Sequence, residues 1–281
     1  MLKYLLKMSL LHQPEHVDDD NVLVATLDSV KVLLQLLKAI NFRECGIIFA
    51  TEKGLKVTVE DSKSIQASAF ISEDVFETYT LNAEEVVFKI NLNVLKECLN
   101  SMSSSNYIAL KISYKGYGDS LRLIMSQGSS ITGCSIKTME PEQMLDFHTG
   151  TLNIINKVML RSEYLKEVFN ELDPMAEYVE FILSPNTPYF RLSTHSIGGD
   201  CRVDIPKDCD MIESFQCTSL TAAKYKLSHI KPSCKPLSLS QKVSISTDER
   251  GLLCFQYMIR IENYNGYIEY YCTPIVDSYD D

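Results

Sequence analysis

Basic residues are in short supply. Among 281 residues, 27 Lys plus Arg stand against 37 Asp plus Glu, a formal charge of −10. A chain that coats nucleic acid over its whole surface, as a histone does, needs the opposite balance, so that class is excluded. A basic stripe confined to one face is not. Charge of either sign is modest at 23% against 45% hydrophobic residues, which supports a large core and excludes long disorder. No run approaches the ~18 apolar residues of a membrane-spanning helix, and no membrane partner is expected.

Motifs for metals and cofactors are also missing. The nine cysteines include no Cys-x-x-Cys pair, so neither a zinc ribbon nor a local dithiol redox motif is indicated. They read as small core hydrophobes in a reducing compartment. Gly116–Gly118 and Gly198-Gly199 are turn signals without the strand-to-helix setting of a phosphate loop. His12 and His16 are four apart, but Pro14 between them removes a helical zinc pair. His148, His195 and His229 are too dispersed to suggest a triad. Asp18-Asp19-Asp20 lies in a flexible stretch, and Asp173, Asp204, Asp208 and Asp210 follow no nuclease motif. No catalytic residue, metal or cofactor is expected.

What is present is a repeat. The length suggests about two domains. VLVATL (Val22 to Leu27) alternates like a strand, and Asp28 and Ser29 offer N-cap chemistry. Val30, Leu33, Leu34 and Leu37 then mark an amphipathic helix to about Ile40. Strands follow at Gly46–Ala50, Gly54–Glu60, Ile65–Ile71 and Val86–Ile90, then a short helix Asn91–Asn100 and the strand YIALKIS (Tyr107 to Ser113). The same order returns later. A strand at Thr151–Leu160 precedes a helix capped by Ser162 and carrying Leu165, Val168, Phe169 and Leu172. Strands at Tyr178–Leu183, Pro188–Thr194 and Phe215–Ser219 lead to a second short helix, LTAAKYKL, and three closing strands. Two helices per half without βαβ alternation predict α+β domains built on antiparallel sheets.

On the first helix Lys31, Gln35 and Lys38 fall in one narrow strip with no acid beside them. The short helix is expected to bury Val94, Leu95, Cys98 and Leu99, and to show Asn93, Lys96, Glu97 and Asn100. The third exposes Ser162, Lys166 and Asn170 near Glu163 and Glu167, and the fourth offers Thr221, Lys224 and Tyr225.

The chain resembles the sliding-clamp superfamily of proliferating cell nuclear antigen, and more closely the Rad-one subunit family of the nine-one-one DNA-damage checkpoint clamp. The likeness is carried by LKAINFRECGIIFATEKGLKVTVEDSKSIQASAF (Leu37 to Phe70), INLNVLKECL (Ile90 to Leu99), NELDPMAE (Asn170 to Glu177) and SPNTPYFRLST (Ser184 to Thr194). PKDCDMIESFQC (Pro206 to Cys217), YKLSHIKPS (Tyr225 to Ser233), VSISTDERGLLCFQYMIR (Val243 to Arg260) and IEYYCTP (Ile268 to Pro274) complete it.

The resemblance implies a DNA clamp of the processivity fold: an N-terminal extension 1–17, clamp domains 18–139 and 151–276, a connector 140–150 and a tail 277–281. Two paralogous subunits would complete a heterotrimeric ring around double-stranded DNA, in the nucleus, at damage sites. A clamp loader would place it, and checkpoint and repair proteins would use it as a platform. The DNA-facing residues would be Lys31, Gln35, Lys38, Lys96, Lys166 and Lys224. Subunits would join edge to edge through Ile131, Gly133, Ser135 and Lys137 on one strand and Gly199, Cys201, Val203 and Ile205 on another. Partner peptides would lie at Met144, Leu145, Phe147, Tyr270, Tyr271 and Pro274. A homotrimeric replication clamp and a 3′-5′ exonuclease are the alternatives.

Overall fold

Leucine-rich helical spacing and runs of β-branched residues at period two set the local structure, and a computed structural model shows how they pack. It describes residues 20–103, 109–127, 130–147, 153–261 and 264–276. The expected extension 1–17, Asp18-Asp19, His148 and the last residues of the connector lie outside the described residues.

The first run of elements is β1 (Leu23–Leu27), α1 (Lys31–Ile40), β2 (Cys45–Thr51), β3 (Gly54–Asp61), β4 (Ile65–Ser72), β5 (Thr78–Leu81), β6 (Glu85–Asn91), α2 (Leu92–Ser103), β7 (Ala109–Tyr114), β8 (Ser120–Gln127) and β9 (Ser130–Met139). The second is β10 (Ile154–Arg161), α3 (Ser162–Glu171), β11 (Tyr178–Leu183), β12 (Phe190–Ser196), β13 (Gly199–Ile205), β14 (Ile212–Cys217), β15 (Thr221–Lys226), α4 (Leu227–Ile230), β16 (Ser240–Asp248), β17 (Leu253–Ile261) and β18 (Tyr264–Cys272). Among the described residues each run reads strand, helix, five strands, helix, three strands. This is the α+β architecture expected, with antiparallel sheets and four helices.

The chain divides into two units. One is formed mainly by the first run; the other holds Met144–Arg260, with Glu60–Ser68 and the strand from Tyr267. In the first, β3-β2-β6-β9-β8-β7-β1-β5 lie side by side. Val32, Leu33, Leu34, Leu36, Leu37, Ala39 and Ile40 of α1 are buried. Each fully buried leucine or isoleucine contributes about 1.5–3 kcal/mol before entropy is counted. The helix starts where Ser29 Oγ accepts the Lys31 amide at 3.3 Å. Asn91 plays the same part for α2, its Oδ1 accepting the Val94 amide at 3.0 Å. No described helix is long and apolar enough to cross a membrane.

The second unit has a sheet β14-β10-β16-β17-β18 and a sheet β13-β12-β11-β15. Phe181 on β11 meets Tyr225 edge-on at 5.5 Å and Phe255 edge-on at 6.1 Å, and lies tilted against Phe190 at 6.3 Å. Tyr257, fully buried, donates from its hydroxyl to Ser233 O at 2.5 Å.

Several local expectations need correction. LTAAKYKL is not a helix: Thr221–Lys226 pairs with β11 along its whole length, from Leu183↔Thr221 to Tyr178↔Lys226. Period-two burial of Tyr225, whose hydroxyl reaches Gly251 O at 2.6 Å, overrides the helix preference of Ala222 and Ala223. The helical turns come afterwards, in α4 and a 3-10 segment Lys231–Ser238. Ser162 does not cap α3 from outside; it is buried in the first turn, Oγ 2.8 Å from Ser240 Oγ, and Arg161 is the N-cap. Val94, expected in the core, is 44% exposed. Of the nine cysteines, all free, only Cys254 and Cys272 are buried; the others are half-buried.

Candidate functional site

Three separate features are candidates: a helix strip, a pair of sheet edges and a cleft beside the connector. On α1 the strip is as the periodicity places it. Lys31 and Lys38 are exposed and Gln35 half-buried, while every other residue of the helix is buried. No acid stands in the first turn and Lys38 lies in the last, where a cation also complements the helix dipole. Lys96 is half-buried on α2. Lys166 is exposed on α3 and donates to Ser238 Oγ at 3.1 Å, but Glu163, Glu167 and Glu171 are exposed on the same helix.

Lys224 does not belong with these. It lies on β15 opposite Glu180 of β11, its ammonium 5.2 Å from the Tyr178 ring centroid. The cations on the fourth helical stretch are Lys231 and Lys235, both exposed. Lys231 Nζ donates to Pro174 O at 3.0 Å. Sequence reasoning missed them, though Pro232 just inside the segment is a recognised helix-start signal.

The strands expected at subunit joins are open edges. Among the described residues, those of β9 before Thr138 pair with β8 alone, since β6 reaches only Thr138 and Met139. Ile131, Gly133, Ser135 and Lys137 are exposed there. Among the described residues β13 pairs with β12 alone and ends its sheet. Gly199 is exposed, Cys201 and Val203 are half-buried, and Ile205 is fully buried, so Ile205 belongs to the core and not to the edge. Arg191 braces this edge, donating from Nε and Nη2 to both oxygens of Asp204, the latter at 2.9 Å. That bond holds the Asp204 carboxyl below the usual carboxylate range.

The connector is pinned at Leu145. Its amide donates to Glu60 Oε2 at 3.0 Å, and its carbonyl accepts Gln66 Nε2 at 2.7 Å. Gln66 Nε2 also donates to Glu60, at 3.0 Å, so one side-chain pair holds both backbone groups. Two residues on, Phe147 stacks on Tyr271, centroids 5.3 Å apart and planes within 12°. A cleft of about 540 Å³ lies between Leu145, Asp146 and Phe147 and the segment Thr273, Pro274 and Val276, with Arg250 and Leu252. Met144 is half-buried beside it in sequence. Tyr270 is not part of it: fully buried, it packs edge-on against Tyr257 at 6.3 Å, because adjacent strand residues face opposite sides.

Two of the acids that could have bound a metal are otherwise engaged. Asp173 Oδ1 accepts the Met175 amide at 2.9 Å, and Asp204 is held by Arg191. Among the described residues no group of three or more His, Cys, Asp or Glu side chains is placed to hold a metal ion.

The sequence profile of the family described as "Repair protein Rad1/Rec1/Rad17" matches residues 22–259. The chain belongs to this family. It is 47% identical over 270 residues to the human "Cell cycle checkpoint protein RAD1", covering 94% of this chain and 96% of the human one. It is 31% identical over 261 residues to the Drosophila melanogaster "DNA repair protein Rad1", covering 91% and 94% of the two chains. A more distant relative from Mycosarcoma maydis, named "DNA repair exonuclease REC1", is 25% identical over 194 residues, 56% of this chain and 41% of its own. The α+β fold described above, with its antiparallel sheets and four helices, is the PCNA-like clamp fold of the Rad1 family.

Proposed function

We propose that this Rad1-family chain is a non-catalytic subunit of a heterotrimeric ring-shaped sliding clamp. The ring encircles DNA at damage sites and serves as a platform for checkpoint signalling and repair, in the nucleus. The observation that carries this reading is the pair of open sheet edges, β9 in one unit and β13 in the other. An open edge exposes a row of backbone donors and acceptors that invites pairing, and a partner strand on each satisfies them. The two edges differ in sequence, so contacts through them are head-to-tail, the kind that closes rings. The checkpoint and repair names of the relatives support the same role here.

The test is size in solution. Alone, the chain is expected to run as a monomer; mixed with two paralogous clamp subunits, it is expected to form a one-to-one-to-one assembly. A stable homotrimer would sink the heterotrimeric reading in favour of a replication-type clamp.

Within the ring, Lys31, Gln35 and Lys38 would meet the DNA backbone, with Lys96, Lys166 and, in place of Lys224, Lys231 on the other helices. Lysine ammoniums on phosphates attract without reading bases, which suits a sliding protein, and enclosure supplies retention. Reversing Lys31 and Lys38 to Glu in the assembled ring is expected to cut retention on circular DNA about tenfold and to make its salt dependence shallower by about two charges. Equal retention at every salt concentration would count against the assignment. The ring would be placed by a clamp loader.

The cleft beside Phe147 would take peptide segments of checkpoint and repair proteins. Its pinned rim presents Leu145 and Phe147 without large reordering, which limits the entropy cost of capture. Phe147→Ala is expected to weaken such peptides about tenfold while costing the fold about 1–3 kcal/mol, the stacked pair together with the partly buried ring area. Peptide titration beside thermal unfolding separates the two.

A further inference from the structure

We propose that Cys98 and Cys134 form an oxidation site that closes to an internal disulfide when a hydroperoxide reaches it. Nothing in the clamp reading requires this. Cys98 lies on α2 and Cys134 on β9, 36 positions apart, and their sulfurs are 2.8 Å from each other. A disulfide bond is about 2.03–2.05 Å long, so the two need to close by only about 0.8 Å. Both side chains are half-buried, which leaves a small oxidant a route to them.

Other thiols are arranged differently. Cys201 donates to Glu171 O at 2.9 Å, Cys217 to Asn156 Oδ1 at 2.9 Å, and Cys272 to His229 O at 3.7 Å. These three sulfurs face oxygen. Cys98 and Cys134 face sulfur.

The chemistry runs in two steps. The Cys134 thiolate attacks one peroxide oxygen, the O–O bond breaks, and a sulfenic acid forms as the departing hydroxide takes a proton to become water. The Cys98 sulfur then displaces the sulfenic hydroxyl, the S–S bond forms, and the proton from Cys98 leaves with that hydroxyl as a second water. Two thiols are oxidised and one peroxide is reduced to two waters. Burial first, then the Cys134 thiol, push the Cys98 thiol up to about 12, so Cys98 keeps its proton until the second step, where it leaves with the hydroxyl. The bond would tie a helix to the strand whose far side is an open edge.

The full chain, purified reduced, would be treated with hydrogen peroxide and analysed by intact mass and non-reducing peptide mapping. The expected result is a loss of about 2 Da, one linked peptide pair joining Cys98 to Cys134, and full reversal by a thiol reductant. The oxidised chain is also expected to unfold several degrees higher, since the link closes a loop of over thirty residues. Recovery of Cys98 and Cys134 as free thiols, as sulfinic acids, or in links to other cysteines would each overturn the proposal. Because the unsubstituted chain carries the measurement, it does not depend on variants folding. Cys98→Ser and Cys134→Ser are each expected to abolish the 2 Da loss; either one retaining it would also overturn the proposal.

Discussion

Gly54→Val is expected to destabilise the protein by about 4 kcal/mol or more, enough to unfold the unit that holds α1 and the β9 edge. Gly54 opens β3 at φ +118°, a conformation that side-chain-bearing residues rarely adopt. A Cβ there would lie 2.2 Å from Ile71 O and 2.8 Å from Glu73 N. Both are backbone atoms, so no side chain can swing aside; the turn after β2 or the end of β4 must move. The same peptide is tied on its other side, where Tyr79 donates its hydroxyl to Gly54 O at 3.1 Å. Gly116 supplies the contrast. Its φ is +135°, yet nothing lies within 4 Å of a Cβ added to it. Gly116→Ala is therefore expected to cost only the conformational penalty, about 1–2 kcal/mol. Urea unfolding of the two variants separates steric overlap from backbone preference; equal costs would show that the close approach at Gly54 does not matter.

Charging the β9 edge is expected to reduce capture of a paralogous subunit about 100-fold while leaving the isolated chain folded. The double variant Ile131→Lys, Gly133→Asp places unlike charges on a strand that a neighbour would have to cover. Ile131 is already 54% exposed, so lysine there loses little packing. Gly133 has open space where a Cβ would go, and its φ is not in the positive range. The fold should therefore tolerate both changes, and an unpaired edge protected by charge is a device soluble sheets use against association. Thermal unfolding of the lone variant checks the first half of the expectation and pull-down with purified paralogues the second. Unaltered capture would mean that subunits do not join through β9.

Much of this was legible in the residues. The strip Lys31, Gln35 and Lys38 emerges from α1 because seven apolar neighbours at helical spacing leave the chain no other face to expose. The strands on which the clamp likeness places its joins, β9 and β13, each carry an unpaired stretch among the described residues. Period-two reasoning, carried further, would have corrected two errors. Tyr270 and Tyr271 are adjacent on a strand, so they cannot both line one cleft. Ala223 and Tyr225 alternate with Lys224 and Lys226, the mark of a strand in a segment whose alanines suggest a helix.

The sequence by itself determined most of the repeated order of elements, the buried face of the first helix and the family, since these rest on residues close together along the chain and on the periods 3.6 and 2. Tertiary structure alone decided which stretches of strand are left without a second neighbour, that Glu60 and Gln66 clamp Leu145 across about 80 positions, and that Cys98 faces Cys134. Those contacts depend on sheet order and chain path. Both emerge from the packing of the whole core, and no local pattern encodes them.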